Sequence, residues 1–188
     1  QIACSIGGNV AENSGGVHCL KYGLTVHNIL SLKLQTVTGE ELLLGSRGLD
    51  SPAYDLMALV TGSEGLLGIV TEITVRLLPL PEQAQVVVAG FASVSAAGDA
   101  VGAVIAAGII PPGLEMMDRL AMQAAENFCH AGYPLDAAAM LLCEVDGTRE
   151  EVAQHVAQIT QLFATHGASS LIVSSDDAQR ALLWKGRK

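Results

Sequence analysis

Residues 29–37, Ile-Leu-Ser-Leu-Lys-Leu-Gln-Thr-Val, alternate apolar and polar positions, the period of a half-buried strand. Thr38-Gly39-Glu40 supplies a turn, and 41–44 returns as a second strand, so the pattern predicts a hairpin. A short helix is expected over 53–61, ending near Gly62, and a long β-branched strand over 67–78. Pro79 and Pro81, one residue apart, disfavour both helix and central strand. The rhythm changes after them. Strands are expected at 84–91, 112–117, 138–145 and 169–174. Helices alternate with them at 95–107, 118–129, 149–165 and 176–185. Gly108 closes the first helix, Asp118 N-caps the second, and Thr148 with Glu151 has the capping-box spacing at the head of the third. That third helix should bury Val152, Val156, Ile159 and Phe163 and stop at Gly167. The second half is therefore β-α-β-α-β-α-β-α, a layered α+β domain of ferredoxin-like character.

Composition narrows the function classes. Half of the 188 residues are apolar, enough to bury a core in one large or two small domains. The formal charge is -9 with Lys and Arg scattered, which excludes a basic nucleic-acid surface. No apolar run reaches the ~18 residues that span a bilayer. Cys4, Cys19, Cys129 and Cys143 have no C-x-x-C spacing, and reduced buried thiols of a cytosolic protein fit them better than a disulfide framework or a zinc site. Gln1-Ile2-Ala3-Cys4 lacks a Met and a basic leader, and the chain stops just after a helical pattern; both ends read as cuts in a longer protein.

The most informative stretch is Ser5-Ile6-Gly7-Gly8-Asn9-Val10-Ala11-Glu12-Asn13-Ser14-Gly15-Gly16, within a Gly/Asn/Ser-rich region to residue 25 that predicts loops. Paired glycines permit φ > 0 and remove the Cβ that would hold a ligand away from the backbone. Consecutive N–H groups can then cradle an anion or a polar ring edge, with Ser5, Asn9 and Asn13 as further donors. The stretch is equally a ligand-free loop with asparagines in left-handed turns. It matches neither G-x-G-x-x-G nor a P-loop, which disfavours a Rossmann NAD site and an NTPase. A second stretch, Gly62-Ser63-Glu64-Gly65-Leu66-Leu67-Gly68-Ile69-Val70-Thr71, is a glycine-spaced turn feeding a strand. Backbone groups at Gly68 and Ile69 are placed to bond a planar ring; the bland alternative is a tight strand entry with Glu64 in solvent.

These stretches, with Lys21-Tyr22-Gly23 between them, closely resemble the FAD-binding domain of the vanillyl-alcohol-oxidase (PCMH-type) family of FAD-linked oxidases. The order G-G-N-x-x-x-N-x-G-G, K-Y-G, hairpin, G-S-E-G-x-L-G-I-V-T carries the likeness. Residues 11–23 and Gly113-Leu114-Glu115-Met116-Met117-Asp118 place it in the branch of glycolate oxidases, D-lactate dehydrogenases and D-2-hydroxyglutarate dehydrogenases, nearest the glycolate oxidase catalytic subunits. The resemblance implies an α+β fold: the C-terminal part of a PCMH-type FAD-binding domain over 1–81, then a ferredoxin-like cap domain from 82 to 188 that helps bind substrate. It implies FAD held by Ser5, Gly7, Gly8, Asn9, Asn13, Gly15 and Gly16, with Glu64, Gly68 and Ile69 closing the site. Arg187, after Trp184, is implied as the arginine gripping a substrate carboxylate; as a helix-end arginine it could instead satisfy last-turn carbonyls. The implied reaction is oxidation of a small 2-hydroxy acid by hydride transfer to flavin N5, with electrons leaving to a partner subunit, by family precedent an iron–sulfur one, or to the quinone pool, in a cytoplasmic assembly peripheral to the membrane. The family's earlier pyrophosphate loop and its later histidine motif are not among these residues. The segment alone is therefore expected to be inactive, and a non-catalytic assembly module with an incomplete flavin site is the other reading. The cell-wall reductase that shares the flavin fold would use NADPH, and the 2-hydroxy-acid motifs argue against it. His18 and His27, flanking Tyr22, face a flavin or simply end loops and strands; Lys21 and Glu115 stand near the expected site or serve the fold.

Overall fold

The computed structural model of the chain describes residues 4–46 and 54–187. It divides into two compact units, Gln1–Pro79 and Leu80–Lys188.

In the first unit the order is α1 (Ile6–Ala11), α2 (Cys19–Tyr22), a 3-10 turn (Thr25–Asn28), β1 (Ile29–Gln35), β2 (Glu41–Gly45), α3 (Leu56–Val60) and β3 (Ile69–Val75). The sheet is antiparallel in the order β2-β1-β3. Alternation in β1 sends Leu32 and Leu34 inward, where they meet Val10, Ile29, Leu44 and Val60. On the outer face Lys33 bonds Glu72 at 2.6 Å and lies 3.5 Å from Glu41. The expected hairpin is present, its turn carrying Gly39 at φ 84°. The strand expected over 67–78 is shorter for two physical reasons. Gly68 turns into the sheet at φ +153°, with the Gln35 carbonyl 2.5 Å from any added Cβ. At the other end β1 begins only at Ile29, so after Arg76 N–H bonds Asn28 O at 2.8 Å there is no strand left to pair with. The helix expected from 53 begins at Leu56, capped by Asp55, whose side chain accepts from Ala58 N–H at 3.0 Å; residue 53 lies outside the described residues, as do 1–3 and 188 of the two chain ends.

The loop expected over the first 25 residues is a correction. Residues 6–11 are helical and 19–22 form another helical turn. The cause is Ser5: its hydroxyl oxygen accepts from Gly8 N–H at 3.0 Å, an N-cap strong enough to start a turn across two glycines. Gly7, Gly8, Gly15 and Gly16 all have negative φ, so the conformational freedom invoked for them is not used.

The second unit runs β4 (Gln83–Phe91), α4 (Val94–Ala106), β5 (Gly113–Asp118), α5 (Arg119–Cys129), β6 (Ala139–Gly147), α6 (Arg149–Thr165), β7 (Ala168–Val173) and α7 (Asp177–Lys185). All strand pairings are antiparallel in the order β5-β6-β4-β7, the ferredoxin-like arrangement, with α5 replacing its middle hairpin. One sheet face packs on α4 and α6 through Val87, Ala89, Phe91, Leu141, Cys143, Ile159 and Phe163. Phe91 and Phe163 meet edge to face at 5.9 Å. The alternate strand positions, among them Val88, Met140 and Leu142, are also buried; on that face Trp184 of α7 rests on Gly113. The capping box is present: Thr148 Oγ1 accepts from Glu151 N–H at 3.2 Å and Glu151 Oε2 from Thr148 N–H at 2.9 Å. Asp118 caps α5 through Ala121 N–H at 2.8 Å. Gly108 and Gly167, at φ 77° and 82°, follow α4 and α6 as left-handed stops, a task His130 performs for α5 at φ 50°. Val156 is half-buried rather than core.

Candidate functional site

The N-terminal half of the expected site is built on α1. Ser5 caps it, and Asn9 N–H bonds the Ser5 carbonyl at 3.1 Å. Gly7 and Gly16 face open space: an added Cβ would meet no atom within 4 Å. Gly8 and Gly15 are packed instead, the first 3.0 Å from Ser5 Oγ and the second 2.9 Å from Leu24 Cδ2 for an added Cβ. Gly16 N–H is directed at Cys19 Sγ, 2.9 Å away. The Asn9 amide makes no hydrogen bond among the described residues. Asn13 is different. It sits at φ 45°, and its Oδ1 accepts from Val26 N–H at 3.0 Å, tying the turn after α1 to the 3-10 turn.

The second motif meets the first at this turn. Gly62 N–H donates to Val10 O at 2.8 Å and Glu64 N–H to Ala11 O at 2.9 Å. Gly62 is at φ 87°, and its absent Cβ leaves room for Asn13 Cβ, 3.2 Å from where it would stand. Glu64 is itself left-handed at φ 54° and exposed. Ile69 lies further on, paired with Gln35 at the entry to β3 and 70% exposed. The two glycine-rich stretches are thus hydrogen-bonded to one another within the first unit, while Ile69 stands apart at the entry to β3. Three of their expected site residues have structural duties as well: Asn13 clasps Val26, Gly68 admits the Gln35 carbonyl, and Glu64 fixes the α1 end.

Arg187 belongs to the second unit. It follows α7, its N–H bonding Trp184 O at 3.1 Å, and its Nε donates to Glu115 Oε2 at 2.7 Å across from β5. The same helix is anchored by Arg180, whose Nη1 lies 3.0 Å from the buried Glu144 carboxylate. Tyr133 Oη donates to Leu183 O, and its ring fills the space beside Gly186. Burial pushes the Tyr133 phenol above its usual range. Sequence reasoning missed these anchors: Glu144 sits 36 residues from Arg180 and Tyr133 50 from Leu183, and local patterning carries no trace of such contacts.

His27 Nδ1 accepts from Leu24 N–H at 3.0 Å, a local cap, and His166 Nδ1 lies 2.8 Å from Leu162 O. Of the cysteines only Cys129 and Cys143 are buried; Cys4 is exposed and Cys19 half-buried, which corrects the expectation that all four are core thiols. Among the described residues no group of three or more metal-ligating side chains occurs, and no helix is long and apolar enough to cross a membrane.

Residues 80–188 match the family described as FAD linked oxidases, C-terminal domain, and residues 1–45 match FAD binding domain. The chain is 59% identical over 188 residues to glycolate oxidase subunit GlcD of Escherichia coli (strain K12), covering 100% of this chain and 38% of that protein. It is 34% identical over 185 residues to the mitochondrial D-lactate dehydrogenase [cytochrome] of Arabidopsis thaliana, covering 98% of this chain and 32% of that one. The chain thus spans between three and four tenths of the length of these relatives. A solved structure of p-cresol methylhydroxylase with substrate bound superposes with a TM-score of 0.73 at 15% identity, over 96% of this chain and 40% of that one, a likeness of fold.

Proposed function

The chain belongs to the FAD-linked oxidases, and from that footing we propose that it is part of an enzyme oxidising a small 2-hydroxy acid, glycolate to glyoxylate, with D-lactate as a related substrate. The supporting likeness is the 59% identity to a glycolate oxidase subunit over the whole chain.

The proposed roles follow the chain's own groups. Ser5, Gly7, Gly8, Asn9, Asn13, Gly15 and Gly16 form one wall of the FAD site, and Glu64, Gly68 and Ile69 its other margin. The observation that carries this reading is the pair Gly7 and Gly16. Neither has positive φ and neither is crowded by its own fold. Glycine inside a helix costs roughly 0.5–1 kcal/mol relative to alanine, so Gly7 is a cost that the local structure does not require. Gly98 of α4 is equally open; what sets Gly7 apart is its place in the segment matching the FAD binding domain, where a Cβ would hold a bound flavin off the donors. When bound, FAD would supply the two-electron acceptor, its N5 serving as the hydride acceptor for substrate C2. The Asn9 amide, which bonds nothing among the described residues, would donate to the negative charge that reduction places on the ring. Arg187 takes the substrate carboxylate through its planar fork. The substrate hydroxyl proton passes to a general base, a role assigned to none of the residues named above. Electrons pass on to an iron–sulfur partner subunit, in a cytoplasmic assembly held at the membrane surface by its partners.

A second reading, an assembly module with an incomplete flavin site, draws on the polar groups spent internally: Gly62 N–H and Glu64 N–H donate, and Asn13 Oδ1 accepts, within the fold. Anaerobic titration separates the two. The full-length protein should be yellow and bleach on adding glycolate. A preparation that stays colourless after addition of FAD supports the assembly module and defeats the oxidase.

A further inference from the structure

We propose that Glu115 is a positioning residue for Arg187, holding the guanidinium by Nε so that its two terminal nitrogens meet a substrate carboxylate end-on. The inference rests on the reading that Arg187 binds that carboxylate.

The contact has the form this task requires. Nε donates to Glu115 Oε2 at 2.7 Å, a short charge-assisted bond. The terminal nitrogens Nη1 and Nη2 bond nothing among the described residues. An arginine held through Nε keeps its Nη1–Nη2 edge for bidentate recognition. The holding group is rigid. Glu115 stands on β5, opposite Leu142 of β6, which is fully buried. Its side chain is 22% exposed against 42% for Arg187, so the fixed partner is the carboxylate and the presented one the arginine. The helix that delivers Arg187 is pinned independently at Trp184 on Gly113, at Arg180 on Glu144 and at Leu183 on Tyr133. Stability alone gives this pair little purpose, because half-exposed ion pairs contribute little to folding. Orientation does: a long side chain with several rotatable bonds, left free beside the site, would lose that freedom on every binding event.

A double-mutant cycle in the full-length holoenzyme tests the proposal, reading the apparent Kd for glycolate and the limiting rate from anaerobic flavin reduction. Glu115→Ala should weaken glycolate about tenfold, the scale of one charged hydrogen bond, with the limiting rate changed much less. In an Arg187→Met background the same substitution should have no further effect, because its action passes through the arginine. Glu115→Gln, which keeps an acceptor for Nε and the side-chain size, should restore most of the affinity, and it carries the cycle if the alanine variant loses flavin or folds poorly. Equal weakening in both backgrounds would show a purely structural glutamate and overturn the inference. So would tighter binding in Glu115→Gln, which would mean that Glu115 competes with substrate for the arginine. If Arg187→Met itself leaves glycolate affinity unchanged, it is the carboxylate role of Arg187 that fails. A loss in Arg187→Met with none in Glu115→Ala sinks the positioning role alone.

Discussion

Gly62 and Asn13 occupy one small space: a Cβ on residue 62 would stand 3.2 Å from Asn13 Cβ, on backbone held at φ 87°. The hydrogen bonds from Gly62 to Val10 and from Glu64 to Ala11 run through the same place. Gly62→Ala should therefore cost about 1–2 kcal/mol from the left-handed backbone alone. Guanidinium unfolding of the full-length protein checks this, and flavin content should fall with it, because the turn carrying both glycine-rich stretches is displaced. An unchanged unfolding midpoint would contradict the geometry.

Gly7 and Gly98 make a matched pair for separating cofactor from fold. Both are helical, and a Cβ on either meets no atom within 4 Å. Gly98→Ala should stabilise the protein by about 0.5–1 kcal/mol with flavin affinity unchanged. Gly7→Ala should stabilise the apoprotein similarly yet weaken FAD. Fluorescence titration of the two apoproteins with FAD reads the difference, and identical affinities would remove α1 from the flavin wall.

The first stretch also shows where sequence reasoning stopped. Glycines and asparagines read as loop formers, whereas Ser5 recruits Gly8 N–H and winds residues 6–11 into a helix. A single cap outweighed two poor helix formers, a balance of small local terms that composition does not weigh. In the second unit the periodicities were long and unambiguous, and α6 with its Thr148–Glu151 box falls on the expected residues. Contacts between distant positions were illegible. Glu115 was visible as a residue of interest, but nothing in its neighbourhood points to Arg187, 72 positions away.

Tyr133 tests how firmly α7 is held. Its hydroxyl donates to the Leu183 carbonyl in a buried setting. Tyr133→Phe should cost about 1–2 kcal/mol by leaving that carbonyl without its donor. Gly186→Ala should cost about 1–3 kcal/mol, since its Cβ would come 2.6 Å from Tyr133 Oη and force the ring aside. Chemical denaturation of both variants, with the apparent Kd for glycolate, should show the loss of stability accompanied by weaker substrate binding, because the helix delivering Arg187 shifts.

Cys143 gives a pH signature. Burial first, and the Glu144 charge second, push its thiol from 9.0 up to about 12. A folded-state pKa raised above the unfolded value means that the protonated thiol's contribution is complete below 9.0 and is lost as pH climbs towards about 12. Maleimide labelling at pH 8 to 9, mapped by peptide mass, should therefore leave Cys143 unmodified in the folded protein and modify it fully after denaturation. Labelling of the folded protein at the rate of a free thiol would show that β6 is not a closed interior strand.

The Gln35 carbonyl beside Gly68 gives that glycine an explanation needing no ligand. Any relative that keeps this backbone path must keep residue 68 bare, whether or not it has retained a redox cofactor. Glycine at 68 is therefore a mark of ancestry in the sheet, while on the proposed flavin wall a bulky residue at position 7 would be the earlier sign that a descendant had abandoned the cofactor.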